Sequence, residues 1–365
     1  MPSIPKKIAI LTSGGDCAGL NAAIRAVVLR AEALGWDVIG IKQGSHGLLE
    51  RPPATVTLHC HNVDTVMMRQ GGTILGTTNK GNPFAWPMPD GSIKDLSDDM
   101  IAGFHSLGCD ALIGIGGDGS LGILRHLAQK GNIPLVGIPK TIDNDLALTE
   151  SSVGFDTAVV VATEALDRLQ PTAASHDRIM ILEVMGRDAG HIAMTAGIAG
   201  GADVILIPEI PYSIQSVADH IKFIRQSGRN FALVVVSEAV RTVDGEKLMN
   251  EFYGGQKRLG GIGHVIGAQI ADLCQAETRV TVLGHVQRGG MPTAQDRLIA
   301  AAFGVHAVEL IAAGKFDRMV AWSNRQVIDV PIAEAIKHNQ QVERHGSLVK
   351  TARGLGICFG DTIRV

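Results

Sequence analysis

Aromatic residues are scarce in this chain, at 4% of 365 residues, so it offers no stacking platform for single-stranded nucleic acid. Charge of one sign is also lacking. The 33 Lys and Arg against 36 Asp and Glu leave a formal net charge of −3, and no global attraction to nucleic acid or anionic membrane follows. Cysteine is limited to five scattered residues (Cys17, Cys60, Cys109, Cys274, Cys358) with no C-x-x-C pair. That excludes a disulfide frame and a zinc ribbon and points to reduced thiols in the cytoplasm. His59-Cys60-His61 resembles a ligand cluster, but is expected to be the solvated edge of a strand. Long hydrophobic runs are missing too. The best stretch, Ile192–Ile207, contains Asp203 and glycines and cannot serve as a membrane span, and the apolar run within Met1–Leu11 is too short for a signal peptide. No G-x-x-x-x-G-K-[ST] occurs, which rules out a Walker-type nucleotide site.

What the chain does have is apolar mass, at 45%, and glycine, at 44 residues without a Gly-X-Y period. A sizeable core and many tight turns follow. Short runs rich in Val and Ile recur: Ile8–Leu11, Asp37–Ile41, Ala111–Ile115, Leu135–Ile138, Ile179–Val184, Val204–Ile207, Phe231–Val236, Val280–Leu283 and Met319–Trp322. Nearly continuous apolar character is what strands covered on both faces require. Helical patterns lie between them, at Asn21–Ala33, Thr157–Gln170 (stopped by Pro171), Ile214–Gln226, Gly261–Cys274 and Thr293–Ala313. The alternation predicts an α/β fold of two Rossmann-like three-layer domains with mainly parallel sheets. Ligands would then sit where loops leave the carboxyl ends of strands. The proline-rich stretch Asn79–Ser97 is expected to be a loop insertion.

Two glycine turns carry the first chemistry. Ile8–Leu11 is followed by Thr12-Ser13-Gly14-Gly15-Asp16, and Leu112-Ile113 by Gly114-Ile115-Gly116-Gly117-Asp118-Gly119-Ser120. Glycine lets backbone N–H groups approach an anion, and a helix N-terminus behind the turn favours negative charge. A carboxylate within such a turn repels bare phosphate but suits phosphate accompanied by Mg²⁺. The competing reading makes Asp118 a helix N-cap. The second constellation, Pro139-Lys140-Thr141-Ile142-Asp143-Asn144-Asp145, follows the strand beside that turn. One of its carboxylates could accept a hydroxyl proton while another supports a metal, although Asx-rich turns also favour these residues. A third group joins Met185-Gly186-Arg187-Asp188 to Gly284-His285-Val286-Gln287-Arg288, with Arg178 and Arg279 opening the strands that lead to them. Guanidinium forks suit sugar phosphates, and surface ion pairing is their ordinary alternative. Glu238 is a further strand-end carboxylate able to bind sugar hydroxyls.

Taken together and in order, Leu11–Asp16 with Gly19-x-Asn21, Gly116–Ser120, Thr141–Asp145, Glu183–Arg187 and Leu283–Gly290 resemble the 6-phosphofructokinase family, from about Ile8 to Leu310. The resemblance implies ATP-dependent phosphorylation of the 1-hydroxyl of fructose 6-phosphate, in glycolysis, by a cytoplasmic allosteric enzyme that uses Mg²⁺. It implies that Gly14, Asn79, Lys80, Gly117, Asp118, Gly119 and Ser120 hold the nucleotide, with Asp118 as the metal carboxylate. Asp143 would be the general base, with Thr141 and Arg187 beside the transferred group. Thr141, Asp143, Met185, Gly186, Arg187, Glu238, His285 and Arg288 would bind the sugar phosphate. Arg178 and Arg279 would reach it from a neighbouring subunit of a homo-oligomer, a tetramer or dimer, and Asp145 would support the metal shell. The nucleotide domain would comprise 1–154 plus about 292–340, and the sugar-phosphate domain 155–291 plus about 341–365.

Some positions depart from the bacterial ATP-using members of the resembled family. Asn79 and then Lys80 stand where those have an arginine; Leu29 and Gln170 replace two effector-site arginines, though Arg25 remains. Regulation by ADP or phosphoenolpyruvate in the bacterial manner is not implied. Lys140 stands where those enzymes have glycine and is typical of pyrophosphate-dependent and some longer ATP-dependent members, whereas Gly119 stands where pyrophosphate users carry aspartate. An aspartate there would fill and repel the space of an α-phosphate, so ATP is the expected donor and pyrophosphate the alternative. A nicotinamide-dependent oxidoreductase, from a literal G-x-G-x-x-G at Gly114, is a more distant alternative because no acid follows at the required strand end.

Overall fold

The computed structural model describes residues 7–79, 81–242, 244–252 and 256–361. In chain order come β1 (Lys7–Thr12), α1 (Leu20–Ala33), β2 (Asp37–Ile41) and β3 (Thr55–Leu58). A short hairpin, β4 (Trp86–Pro87) with β5 (Ile93–Lys94), occupies the proline-rich insertion. Then follow α2 (Ser97–Ser106), β6 (Ala111–Gly116), α3 (Asp118–Gly131), β7 (Leu135–Pro139) and α4 (Phe155–Ser175). Next are β8 (Ile179–Val184), α5 (His191–Ala199), β9 (Val204–Leu206), α6 (Ile214–Gln226) and β10 (Ala232–Ser237). The hairpin β11 (Met249–Phe252) and β12 (Gln256–Leu259) precedes α7 (Ile262–Cys274) and β13 (Thr278–Val282). The chain closes with α8 (Ala294–Ala312), β14 (Arg318–Ser323), β15 (Gln326–Pro331), α9 (Ile332–Ala335) and α10 (Ser347–Gly354).

The chain divides into two compact units. The first takes Met1–Ile142, Leu146–Thr157 and Arg288–Asn339; the second takes Asp143–Asp145, Ala158–Gln287 and Gln340–Val365. In the first, seven strands form one sheet in the order β15-β14-β7-β6-β1-β2-β3. Only the rims, β3 and β15, run antiparallel to their neighbours. β6 and β7 are buried at every residue, as strands with helices on both faces must be. The strand order reverses between β1 and β6. The chain leaves β1 toward β2 and leaves β6 toward β7, so a crevice opens at the carboxyl ends of these two adjacent strands. Both glycine turns lie there.

In the second unit the sheet β13-β8-β10-β9 is wholly parallel, and β8 and β10 are buried throughout. Its core joins Ile179, Ile181, Val234 and Val236 to Ile262, Ile266 and Ile270 of α7. Among the described residues no helix is long and apolar enough to cross a membrane.

Two local expectations are corrected. Pro171 does not stop its helix: α4 runs through it to Ser175. An interior proline costs about 3 kcal/mol, and the turn beyond it recovers part of that by burying Ala173 against Met180 and Leu233. His59-Cys60-His61 is not a strand edge. β3 ends at Leu58, and the run forms a 3-10 turn in which the His59 N–H donates to Asn62 Oδ1 (2.8 Å) and Glu32 accepts from the Cys60 N–H. A capping box competes successfully with one more pair of ladder bonds.

Candidate active site

In the first unit two cations flank a glycine turn that backbone hydrogen bonds hold in place. The Ser13 N–H donates to the Ile115 carbonyl and the Gly14 N–H to the Thr78 carbonyl, while Thr77 Oγ1 donates to the Gly14 carbonyl at 2.7 Å. Gly14 has φ +85°, and a Cβ there would lie 2.8 Å from Ser120 Oγ and 3.3 Å from Lys140 Nζ. A Cβ on Gly15 would lie 2.8 Å from an Arg288 guanidinium nitrogen. Lys140 is 4% exposed, and its ammonium donates to the Gly15 carbonyl. Arg288 donates to the Asp16 carbonyl at 3.1 Å. An ammonium and a fork thus flank a turn with which Ser120 is also packed, and this is chemistry suited to phosphate.

The second turn runs straight into α3. Gly117 is the N-cap and Asp118 the first helical residue, so Asp118 is not the cap that its type suggested. Gly119 has an ordinary φ, is exposed, and a Cβ on it would meet nothing within 4 Å. Neither backbone nor packing requires glycine at that position. Asn79 is exposed, and Lys80 lies outside the described residues. Thr141 is buried in the loop after β7, its carbonyl accepting from Ser152 Oγ at 2.7 Å.

The second unit gathers several of the residues expected to bind sugar phosphate around Met185–Arg187, at the carboxyl end of β8. Arg187 is left-handed (φ +52°) and its N–H donates to Glu238 Oε1 at 3.2 Å, just past the end of β10. Its guanidinium lies 3.9 Å from Asp145 Oδ2, a carboxylate that is itself buried. Asp143 and Asn144 are buried beside it in sequence, each 6% exposed. Burial pushes the Glu238 carboxyl up to about 7, and the nearby Asp143 charge adds to that rise. His285 is exposed on the 3-10 turn Gly284–Arg288.

Arg178 and Arg279 are not brought to this end of the sheet. Arg178 precedes β8 and Arg279 is the second residue of β13, whereas Met185 follows β8, roughly 20 Å away along the strand. Both forks contact the exposed Glu277, and Arg178 holds that carboxyl below its ordinary range.

Sequence reasoning missed several residues that shape these loops. Gln287 is 1% exposed and its Oε1 accepts from the Met185 N–H at 2.8 Å. Glu183 accepts from the Gly261 and Gly263 N–H groups, both at 2.8 Å, at the start of α7. Thr77 left no local signal. Asp296 did leave one: Thr293-x-x-Asp296 is a capping-box spacing, and Thr293 Oγ1 accepts from the Asp296 N–H at 3.2 Å.

The family model described as Phosphofructokinase matches residues 7–311. The ATP-dependent 6-phosphofructokinase 1 of Synechocystis sp. is 64% identical over 98% of this chain and 99% of its own. The ATP-dependent 6-phosphofructokinase of Thermosynechococcus vestitus is 50% identical over 99% of this chain and 95% of its own. Among solved structures, Pichia pastoris phosphofructokinase in the T-state superposes with a TM-score of 0.80 at 30% identity, covering 91% of this chain. The present chain spans only 35% of that yeast chain. The pyrophosphate-dependent phosphofructokinase of Marinobacter aquaeolei shares the fold, with a TM-score of 0.77 at 22% identity over 97% of this chain and 92% of its own. The chain belongs to the phosphofructokinase family.

Proposed function

We propose that the protein transfers the terminal phosphoryl group of ATP to the 1-hydroxyl of D-fructose 6-phosphate, a glycolytic reaction of the cytoplasm. Family membership and the names of relatives 50–64% identical support the reaction. The observation that carries the donor is Gly119. Nothing in the fold asks for glycine there, so on this reading the space beside it is kept for a ligand, and an aspartate in its place would repel an α-phosphate. Lys140 does not reverse this reading. An ammonium at the Gly14–Gly15 turn serves the terminal phosphates of either ATP or pyrophosphate. The nicotinamide alternative has no support from the family.

The donor residues, Gly14, Gly117–Ser120 and Lys140, belong to the first unit, and Asn79 and Lys80 stand next to Thr78 in the chain. The N–H groups at the start of α3 and the cations take up phosphate charge, and Arg288 offers a fork to a phosphate oxygen. Among the described residues no three His, Cys, Asp or Glu side chains converge on a metal site. Asp118 alone fits Mg²⁺ that is shared with phosphates, the usual arrangement for this ion. When bound, Mg²⁺ neutralises charge on those phosphates.

The acceptor residues are assigned to the second unit. Asp143 accepts the proton of the 1-hydroxyl as that oxygen forms its bond to phosphorus and the bond to ADP breaks. Arg187, held near Asp145, steadies the transferring group, and Thr141 lies two residues before the base. Met185, Gly186, Glu238 and His285 hold the sugar. Arg178 and Arg279 complete the site of a neighbouring subunit, because within one chain they stand at the opposite end of the sheet. An active species that sediments as a monomer contradicts that assignment. The function itself is tested by assaying fructose 1,6-bisphosphate formation with ATP and with pyrophosphate. Turnover is expected with ATP, and turnover with pyrophosphate alone would overturn the donor.

A further inference from the structure

Asp296 is wholly buried at the start of α8, and the side-chain hydrogen bonds described for it go to Gly154 and Thr157, neither of them assigned to substrates. Its two oxygens take three donors from one short segment. Oδ1 accepts from the Gly154 N–H at 2.8 Å; Oδ2 accepts from the Thr157 N–H at 2.8 Å and from Thr157 Oγ1 at 2.5 Å. The arrangement is reciprocal, for the Thr293 N–H donates to Thr157 Oγ1 at 3.1 Å and Thr293 Oγ1 donates to Asp156 Oδ2 at 2.5 Å.

The segment held this way, Ser152–Gly154, forms a strap between two loops of the first unit. On one side Ser152 Oγ donates to the Thr141 carbonyl at 2.7 Å, and the Val153 N–H donates to the Pro139 carbonyl at 3.2 Å. On the other, Cys17 Sγ donates to the Val153 carbonyl at 3.3 Å. Burial pushes the Cys17 thiol up to about 12, so it remains a donor. Contact is close along the strap. A Cβ on Gly154 (φ +102°) would lie 2.5 Å from Cys17 Sγ, and one on Gly19 would lie 2.8 Å from Val153. The strap therefore cannot shift without moving the phosphate turn, the Lys140–Thr141 loop, or both.

We propose that Asp296 is a positioning residue for phosphoryl transfer: through the Ser152–Gly154 strap it holds the Gly14–Cys17 turn and the Lys140–Thr141 loop in one fixed register. The inference rests on the function proposed above. A small displacement between reacting groups costs up to about 10²-fold in rate, so the device would act on kcat more than on binding.

The test compares Asp296→Asn, which turns an amide N–H against one of the three donors, with Ser152→Ala and Thr157→Val, which each remove one link. Per folded molecule, Asp296→Asn is expected to lower kcat by about 10²-fold with the KM for fructose 6-phosphate unchanged. Ser152→Ala and Thr157→Val should lower it less, Thr157→Ser should retain activity, and Ser152→Ala added to Asp296→Asn should cost nothing further. Wild-type kcat in all these variants, with only the unfolding temperature reduced, would overturn the proposal. If Asp296→Asn does not fold, Ser152→Ala and the Thr157 pair decide the matter alone. Amide hydrogen exchange at Lys140–Ile142 and Gly14–Cys17 is expected to accelerate in the variants whatever the substrate, and unchanged exchange overturns the inference. A wild-type protein inactive on ATP and fructose 6-phosphate defeats the substrate reading instead, and the exchange data then judge the strap by itself.

Discussion

Two turns of the first unit carry the same three residues, Gly14-Gly15-Asp16 and Gly116-Gly117-Asp118, at the ends of adjacent strands. Their glycines answer different demands. Gly14 is left-handed and hemmed in by Ser120 and Lys140, so the fold itself penalises a side chain. The second turn enters its helix at once, and the next glycine, Gly119, is conformationally ordinary with open space beside it. The first position is constrained by backbone and packing and the second by neither, so under the proposed function it is the ligand that asks for glycine at Gly119. A motif shows that both are glycine; only packing separates the reasons. The second unit differs again, since its Met185–Arg187 loop is held by Gln287 and Glu238 side chains rather than by glycine contacts alone.

Asp143→Asn sharpens the contrast most, because it removes a charge and leaves shape intact. Turnover is expected to fall by about 10²–10⁴-fold with little change in KM. Steady-state kinetics with an unchanged kcat would remove Asp143 from the chemistry. Gly14→Ala attacks the structural glycine, and a left-handed alanine costs about 1–3 kcal/mol before the Ser120 contact is relieved. Denaturant unfolding should report that loss; wild-type stability would break the comparison.

The smallest effect belongs to Glu238→Gln. The folded protein holds the Glu238 proton up to about 7 against an ordinary value of 4.5, so Glu238's contribution to stability is full below about pH 4.5 and is lost as pH rises toward about 7. Glutamine removes this dependence. Unfolding curves for the two proteins should diverge across that window, and parallel curves would mean that Glu238 is not buried as described.

Fold class was legible because each buried parallel strand, such as Ile179–Val184, leaves a continuous apolar run. The antiparallel rims were not: β3 and β15 alternate or are half exposed, and carry no such run. Pro171 misled because propensity is local while the burial of Ala173 is tertiary. Of the candidate site, the residues on glycine turns and strand ends could be read. Thr77, Gln287 and Ser152 could not, since each acts by hydrogen bonding to backbone that is distant in sequence.

The claim that Gly119 is held open for a ligand is tested most directly by Gly119→Asp, with ATP-dependent kinetics and unfolding measured on the same preparation. Placing a like charge beside phosphate costs several kcal/mol, so kcat/KM for ATP should fall by about 10²–10⁴-fold while stability stays within about 0.5 kcal/mol of wild type. Undiminished ATP turnover, or a protein destabilised in proportion to its lost activity, would contradict the account.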